Sequence, residues 1–256
     1  MSVPLSVVII AKNEQSRIKD CLESVSGWAD EIVLVDDEST DDTRGIVAKY
    51  TEKIFIRHME LEGKQRNFGA SKAKYDWILL LDCDERLTDE LKAEIALTLK
   101  DADPKVAAYW APQINYFGKV ALNHGGWSNP HFRLYNKNYV KWSEADFDVI
   151  HPGVKTQEGY RGATLKGKTL HYSFSSVENF IAKINRYSTL EATKWLLDGR
   201  KMSQGKAMWR AWDRFFRRFI AKQGYKDGYF GFVAAVLSGF HEFAAYSKYR
   251  EMKEKT

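Results

Sequence analysis

Cysteine is nearly absent from this 256-residue chain. Cys21 and Cys83 form no disulfide framework and no zinc-finger spacing, and a reducing compartment is the simple reading. Long apolar runs are also missing. No stretch approaches the roughly 18 to 20 apolar residues that a membrane-spanning helix needs. The N-terminus passes from Met1 through Ser2, Val3 and Pro4 into a strand-like segment, without the basic and apolar regions of a secretory signal. No G-x-G-x-x-G follows the first apolar run, which disfavours a nicotinamide-dependent dehydrogenase. What is present, 44% apolar and 29% charged residues, is the composition of a globular protein. The length suits one large domain, or one domain with an appendage.

The net charge of +5 is unevenly spread. Residues 201–256 hold 12 Lys and Arg against 5 Asp and Glu, whereas the first 200 hold 27 against 29. The basic character therefore belongs to the tail.

The stretch Trp77–Glu85 organises the rest. Trp77-Ile78-Leu79-Leu80-Leu81 reads as a strand buried on both faces of a mainly parallel sheet, and it ends in Asp82, Asp84 and Glu85. Ligands of open α/β sheets gather beyond the carboxyl ends of such strands. Carboxylates crowded there repel unless a cation sits between them, and hard divalent cations take oxygen ligands. The bland alternative is a solvated loop in which Asp84 or Asp89 starts the next helix.

Upstream, Leu5–Ile10 and Glu31–Val35 read as buried strands, and Lys53–Ile56 as a third. Helices are expected over Ile18–Val25, with Gly27 as the stop, over about Thr43–Tyr50, and over Lys64–Lys74. Ser39, Thr40, Asp41 and Asp42 are candidate caps for the second helix. A further helix, Thr88–Leu99, follows the acidic cluster with Thr88 or Asp89 as its cap. Strands alternating with helices imply right-handed crossovers and a parallel sheet. From Val106 the texture turns β-rich and aromatic, which suits sugar rings but equally suits ordinary strand packing. The adjacent glycines of Gly125-Gly126-Trp127 allow close backbone approach by a ligand.

After His171-Tyr172-Ser173 the chain reads as helical, with Ser176 as a cap. Between Lys201 and Lys222, Met208, Trp209, Trp212, Phe215, Phe216 and Phe219 interleave with Arg210, Arg214, Arg217 and Arg218. This pattern suits an interfacial helix on an anionic membrane surface. The Tyr229–Leu237 run is too short to span a bilayer but long enough to dip into one. A helical hairpin packed on the protein itself or on a partner subunit is the alternative. No known nucleic-acid motif occurs, and no nucleic-acid partner is expected.

Four pieces in fixed order, Ser6–Glu14, Val35–Asp41, Lys64–Asn67 and Leu81–Glu85, resemble an inverting family-two glycosyltransferase with a GT-A fold. Its D-x-D element would be Asp82-Cys83-Asp84. His124–Trp127, Arg133–Tyr135, His151–Val154, His171–Ser173 and Lys183–Ser188 resemble a narrower subgroup. That subgroup is the bacterial lipopolysaccharide-core glucosyltransferases, which add a β-linked glucose to an inner-core heptose from UDP-glucose.

The resemblance implies a UDP-sugar donor held by Ala11, Asn13, Glu14, Asp36 and Asp37 at its nucleoside. Lys64 and Arg66 would face the diphosphate, with charge-assisted hydrogen bonds to its oxygens. Asp82 and Cys83 would lie on the donor side. Asp84 would bind Mg²⁺ or Mn²⁺, with His151 as a further ligand. Inversion also needs a carboxylate base. Many relatives carry His-Glu where this chain has His151-Pro152, so that Glu is not carried over. Asp148 and Asp146 are preferred for the base, with Glu144 beside them.

The expected architecture is α/β. A GT-A, Rossmann-like catalytic domain over residues 1–175 has a mostly parallel central sheet, and a helical membrane-associating extension covers 176–256. The expected activity is metal-dependent, inverting transfer of a hexose to a lipid-linked saccharide acceptor. The expected place is the cytoplasm, peripheral on the inner face of the bacterial inner membrane. Oligomeric state stays open. Competing readings are a polyprenyl-phosphate sugar synthase and a non-catalytic nucleotide-sugar-binding membrane scaffold.

Overall fold

The computed structural model describes residues 3–145 and 153–255. The chain divides into two compact units, residues 1–113 with 130–171, and residues 114–129 with 172–256.

The first unit opens with β1 (Val3–Ala11), α1 (Ile18–Val25), β2 (Ala29–Asp36), α2 (Thr43–Val47), β3 (Ile54–Ile56), α3 (Glu62–Lys72) and β4 (Trp77–Leu80). β1 pairs in parallel with β2 and β4, and β2 with β3. β1, β2 and β4 are buried on both faces along most of their length, as their unbroken apolar runs predict, while β3 at the sheet edge leaves Ile56 exposed. Leu5, Val7 and Ile9 point to the side covered by Ile18, Cys21 and Leu22 of α1. Val8, Val33, Ile78 and Leu80 point to the other side, with Ala70. Gly27 ends the turn after α1 at φ 73°, a left-handed conformation that glycine adopts without steric cost. α2 is shorter than the expected Thr43–Tyr50. Past Val47 the bonds tighten, with Lys49 N–H donating to Ile46 and Tyr50 N–H to Val47.

The unit continues with β5 (Glu85–Leu87), α4 (Asp89–Lys100) and β6 (Val106–Ala111). Thr88 caps α4, its hydroxyl accepting from Leu91 N–H at 3.2 Å. β7 (Gln113–Phe117) and β8 (Val120–Leu122) form a hairpin. After it come β9 (His131–Asn136), β10 (Val140–Trp142), β11 (Val154–Thr156), β12 (Arg161–Thr164) and β13 (Thr169–Phe174). The central sheet has seven strands in the order β12-β6-β9-β4-β1-β2-β3. It is mixed, because β9 runs antiparallel to both β4 and β6. No helix lies between β6 and β9 to carry the chain back for a parallel return. β13 pairs antiparallel with β5, setting His171 opposite Glu85.

The second unit combines the β7–β8 hairpin with α5 (Val177–Leu197), α6 (Gln204–Phe216) and α7 (Gly228–Glu254). Phe117 and Leu122 of the hairpin bury against Phe174, Phe180, Ile184 and Ala234. Ser176 and Ser203 cap α5 and α6 by accepting from Asn179 and Lys206 N–H. α6 runs on into a π-helical turn, Arg217–Ala221. The apolar Tyr229–Leu237 run is the first third of the 27-residue α7. α7 packs on α6 so closely that a Cβ on Gly239 would lie 2.8 Å from the Ala211 carbonyl oxygen. Buried Glu242 of α7 takes Arg210 at 2.6 Å and Arg214 at 2.5 Å from α6. Gly125 and Gly126 both have positive φ, but the group that approaches them is internal. A Cβ on Gly126 would meet the Lys222 side chain at 2.3 Å, and Arg218 stacks 3.8 Å over Trp127. Among the described residues no helix is long and apolar enough to cross a membrane.

Two tests address the first unit. A Cβ on Gly69 of α3 would sit 2.5 Å from Val8 Cγ1 and 3.1 Å from Val35 Cγ2. Gly69→Ala should therefore cost about 1–3 kcal/mol by urea unfolding, despite the better helix propensity of alanine. Glu31 accepts from Lys74 N–H at 2.7 Å and from Ser6 and Lys53 side chains. Burial alone would raise its pKa, but these donors win and hold it below the usual range. The resulting stability is present above the unfolded value of about 4.3 and fades as pH falls through the lower folded one. Melting followed from pH 6 to pH 3 should show a steeper acid loss in the wild type than in Glu31→Gln.

Candidate active site

The carboxyl ends of β1 and β2 lie side by side in register, Ala11 opposite Asp36. The loops that follow are stitched together. Asn13 N–H donates to Ser39 Oγ at 2.9 Å, Thr40 N–H to Asn13 Oδ1 at 2.8 Å, and Glu14 N–H to Thr43 Oγ1 at 2.8 Å. Ser39 and Thr43 thus serve the facing loop, and the residue before α2, Asp42, makes no side-chain cap bond. Asn13 sits at φ 55°, which asparagine tolerates better than most residues.

Asp36 is fully buried. Its Oδ2 accepts from Ser39 N–H at 2.9 Å, while its Oδ1 accepts no hydrogen bond. A buried carboxylate oxygen without a donor is costly, and an N–H of a bound base would satisfy it. Asp37 has a donor on each oxygen, Met59 N–H at 2.8 Å and Lys12 Nζ at 3.0 Å. Against the opposing effect of burial, these donors hold its carboxyl below the usual range.

The three carboxylates after β4 turn to different cations. Asp82, about half exposed, lies 3.9 Å from Arg66 of α3. Arg66 also pairs with Glu62 and stacks 4.3 Å over the Trp142 ring. Asp84 lies 3.5 Å from both Arg17 Nη1 and His171 Nε2. Arg17 is oriented by a two-point contact with Glu14, at 2.8 and 2.7 Å. Burial alone would lower the His171 pKa, but the Asp84 hydrogen bond and the charges of Glu85, Asp84 and Asp82 raise it. The donor set of Asp84 and His171, a carboxylate oxygen and an imidazole nitrogen, fits a divalent cation.

Glu85 faces inward. It is buried, pairs with equally buried Arg133 of β9, and accepts from Asp82 N–H at 3.1 Å. Arg133 is held in turn by Gln113 Oε1 at 3.1 Å. Burial pushes the Glu85 carboxyl above its usual range, against the pull of Arg133.

The structure therefore gathers Ala11, Asn13, Glu14, Asp36 and Asp37 at one pair of loops, and Asp82, Asp84 and Arg66 at the next. The ammonium of Lys64 pairs with Glu60 at 3.0 Å. The Cys83 side chain belongs to the core, where burial raises its thiol pKa well above the usual value. Asp146, Asp148 and His151 lie outside the described residues. Glu144, the other carboxylate of that stretch, accepts from Asn67 Nδ2 at 2.7 Å. Sequence reasoning missed Arg17 and the role of His171. The His171-Tyr172-Ser173 motif carried a signal, but only the pairing of β13 with β5 shows that its histidine meets Asp84.

Comparison with known proteins gives the family of this chain. The family described as Glycosyl transferase family 2 matches residues 6–151. A glycosyltransferase of Rickettsia bellii (strain RML369-C), itself uncharacterized, is 31% identical over 97% of this chain and 86% of its own length. The lipopolysaccharide core biosynthesis glycosyltransferase LpsC of Rhizobium meliloti (strain 1021) is 26% identical over 96% and 92% respectively. Among solved structures, Staphylococcus aureus TarS 1–349 in complex with UDP-GlcNAc is similar at 16% identity and a TM-score of 0.49. That match covers 99% of this chain and 91% of TarS 1–349. The chain is a member of glycosyl transferase family 2.

Removing Arg133 should leave Glu85 charged and buried without its partner. Arg133→Met is expected to cost about 3–5 kcal/mol in chemical unfolding. The double variant Arg133→Met/Glu85→Leu should recover most of that loss, which a simple packing defect would not allow.

Proposed function

We propose that this family-two member is a metal-dependent, inverting glycosyltransferase that moves glucose from UDP-glucose to a lipid-linked glycan. Its acceptor is an inner-core heptose of lipopolysaccharide, met at the inner face of the bacterial inner membrane. The observation that carries the reading is the Asp84–His171 pair, 3.5 Å apart at the end of a buried strand and beside the loops that enclose Asp36. The acceptor class draws support from likeness to LpsC, whose name places it in lipopolysaccharide core biosynthesis.

In this reading Asp36 and Asp37, with the Ala11–Glu14 turn, hold uracil and ribose, and the free Asp36 Oδ1 accepts from the base. Asp82 and the Cys83 backbone border the donor. Arg66 and Lys64 meet the diphosphate through charge-assisted hydrogen bonds. Asp84 and His171 would hold Mg²⁺ or Mn²⁺, with His151 as a further candidate. A divalent ion there supplies neutralisation of the charge that develops on the leaving diphosphate. The acceptor hydroxyl attacks the anomeric carbon from the face opposite the leaving group, and Asp148 or Asp146 takes its proton. The basic, aromatic C-terminal helices bring the enzyme to an anionic bilayer.

A panel of UDP-sugars with Mg²⁺ or Mn²⁺, scored by donor hydrolysis and by melting shift, tests the donor side. UDP-glucose should raise the melting temperature most, and Asp84→Ala should lower turnover by at least about 100-fold. A flat response to every nucleotide sugar would sink the proposal. So would full activity of Asp84→Ala with metal chelated. Loss of transfer in either Asp148→Asn or Asp146→Asn, with UDP binding kept, is expected for the base. Intact activity in both would favour an acceptor that is already ionised, as in a polyprenyl-phosphate sugar synthase.

A further inference from the structure

The second unit carries an open groove of about 400 Å³ between α6 and α7, and its lining is almost wholly apolar. Met208, Trp212 and Phe215 form one wall, and Phe232, Val236 and Phe240 form the other. Several of these stay exposed to solvent, Trp212 at 58% and Phe240 at 48%. Gly239 keeps the floor shallow, because the two helix backbones touch there. From Phe232 to Phe243 the groove runs about 16 Å along α7. That is close to the hydrocarbon thickness of one leaflet, roughly 15 Å.

Charge indicates what lies in it. Phe215 and Phe232 at one end contact Phe219, which in turn contacts Tyr225. That end therefore abuts the stretch 217–226, which contains Arg217, Arg218, Lys222 and Lys226 and no acidic residue. Arg217, Lys222 and Lys226 are exposed there, Arg217 beside Asp213 at 3.1 Å, while Asp227, next in the chain, is turned to His124. Tyr225 and Tyr229 stand out beside them, 49% and 73% exposed, as aromatics do at the level of lipid headgroups. An apolar slot with a cationic collar at one mouth matches an amphiphile with a negative head and a single apolar tail.

We propose that the α6–α7 groove binds one acyl chain of an anionic membrane lipid, its headgroup held by Arg217, Lys222 and Lys226. This rests on the membrane reading above but is more specific. A chain drawn into a groove fixes the depth and orientation of the unit, which adsorption of a basic face does not.

Calorimetric titration of the full chain with dodecyl phosphate, below its critical micelle concentration, tests the proposal. Saturable binding of one amphiphile per chain is expected. Dodecyl maltoside, with the same tail and no charge, should bind about tenfold or more weakly. Val236→Asp, at a site 41% exposed, should abolish binding without lowering the melting temperature. Lys222→Glu/Lys226→Glu should weaken dodecyl phosphate but not dodecyl maltoside. Unsaturable uptake, binding indifferent to Val236→Asp, or dimerisation that competes with the amphiphile would each overturn the proposal. The UDP melting shift, measured on the same preparation, separates the two readings. A normal UDP shift without amphiphile binding removes the groove alone, and amphiphile binding without a UDP shift removes the donor reading alone.

Discussion

Three carboxylates within four residues, at the end of a strand with no water on either face, repel one another strongly. The first unit resolves this by giving each its own cation from a different element. Asp82 faces Arg66 of α3, Asp84 faces Arg17 and His171, and Glu85 faces Arg133 of β9. The division fixes where each carboxylate points. Glu85, turned inward, ties the loop backbone at Asp82 to the sheet. Asp84, turned toward an imidazole, meets a histidine carried by β13. Arg133 stands on β9, between β4 and β6, so the one reversed strand of the sheet also serves the loop.

Much of this was legible in the residues. The unalternating runs of β1, β2 and β4 announced burial on both faces, and the D-x-D element announced the loop. What could not be read were contacts between residues far apart in sequence. Arg133 and His171 stand in motifs, but their partners are set by strand pairing, which periodicity does not reveal. Local rules also lost to tertiary demand. Ser39 looks like a cap for α2, yet it accepts from Asn13 N–H of the loop after β1, and Thr43, the first residue of the helix, accepts from Glu14 N–H beside it. The Tyr229–Leu237 run looked like a separate apolar segment. Its continuation through Gly239, Glu242 and Tyr249 carries the inward face of one long helix.

The second unit follows a different plan. Its helices are joined by close backbone approach at Gly239 and by Glu242 clasped between Arg210 and Arg214. These contacts occupy one side of α6 and α7 and leave the aromatic side uncovered. In the first unit, by contrast, the central strands carry apolar side chains buried on both faces.

The spacing of the acidic loop's partners also sets an order of assembly. Every contact described between the loops after β1 and β2 lies within residues 11–59, and Arg17 is available to Asp84 as soon as the loop forms. The imidazole arrives only at residue 171, after β9 and the hairpin have been threaded between. On a ribosome, where domains fold from the N-terminus onward, the pocket would be built in two instalments. The nascent chain would hold these loops while Asp84 still lacks its histidine partner. The Arg17 guanidinium would neutralise Asp84 first, and the imidazole would join it later from the far end of the unit's sequence.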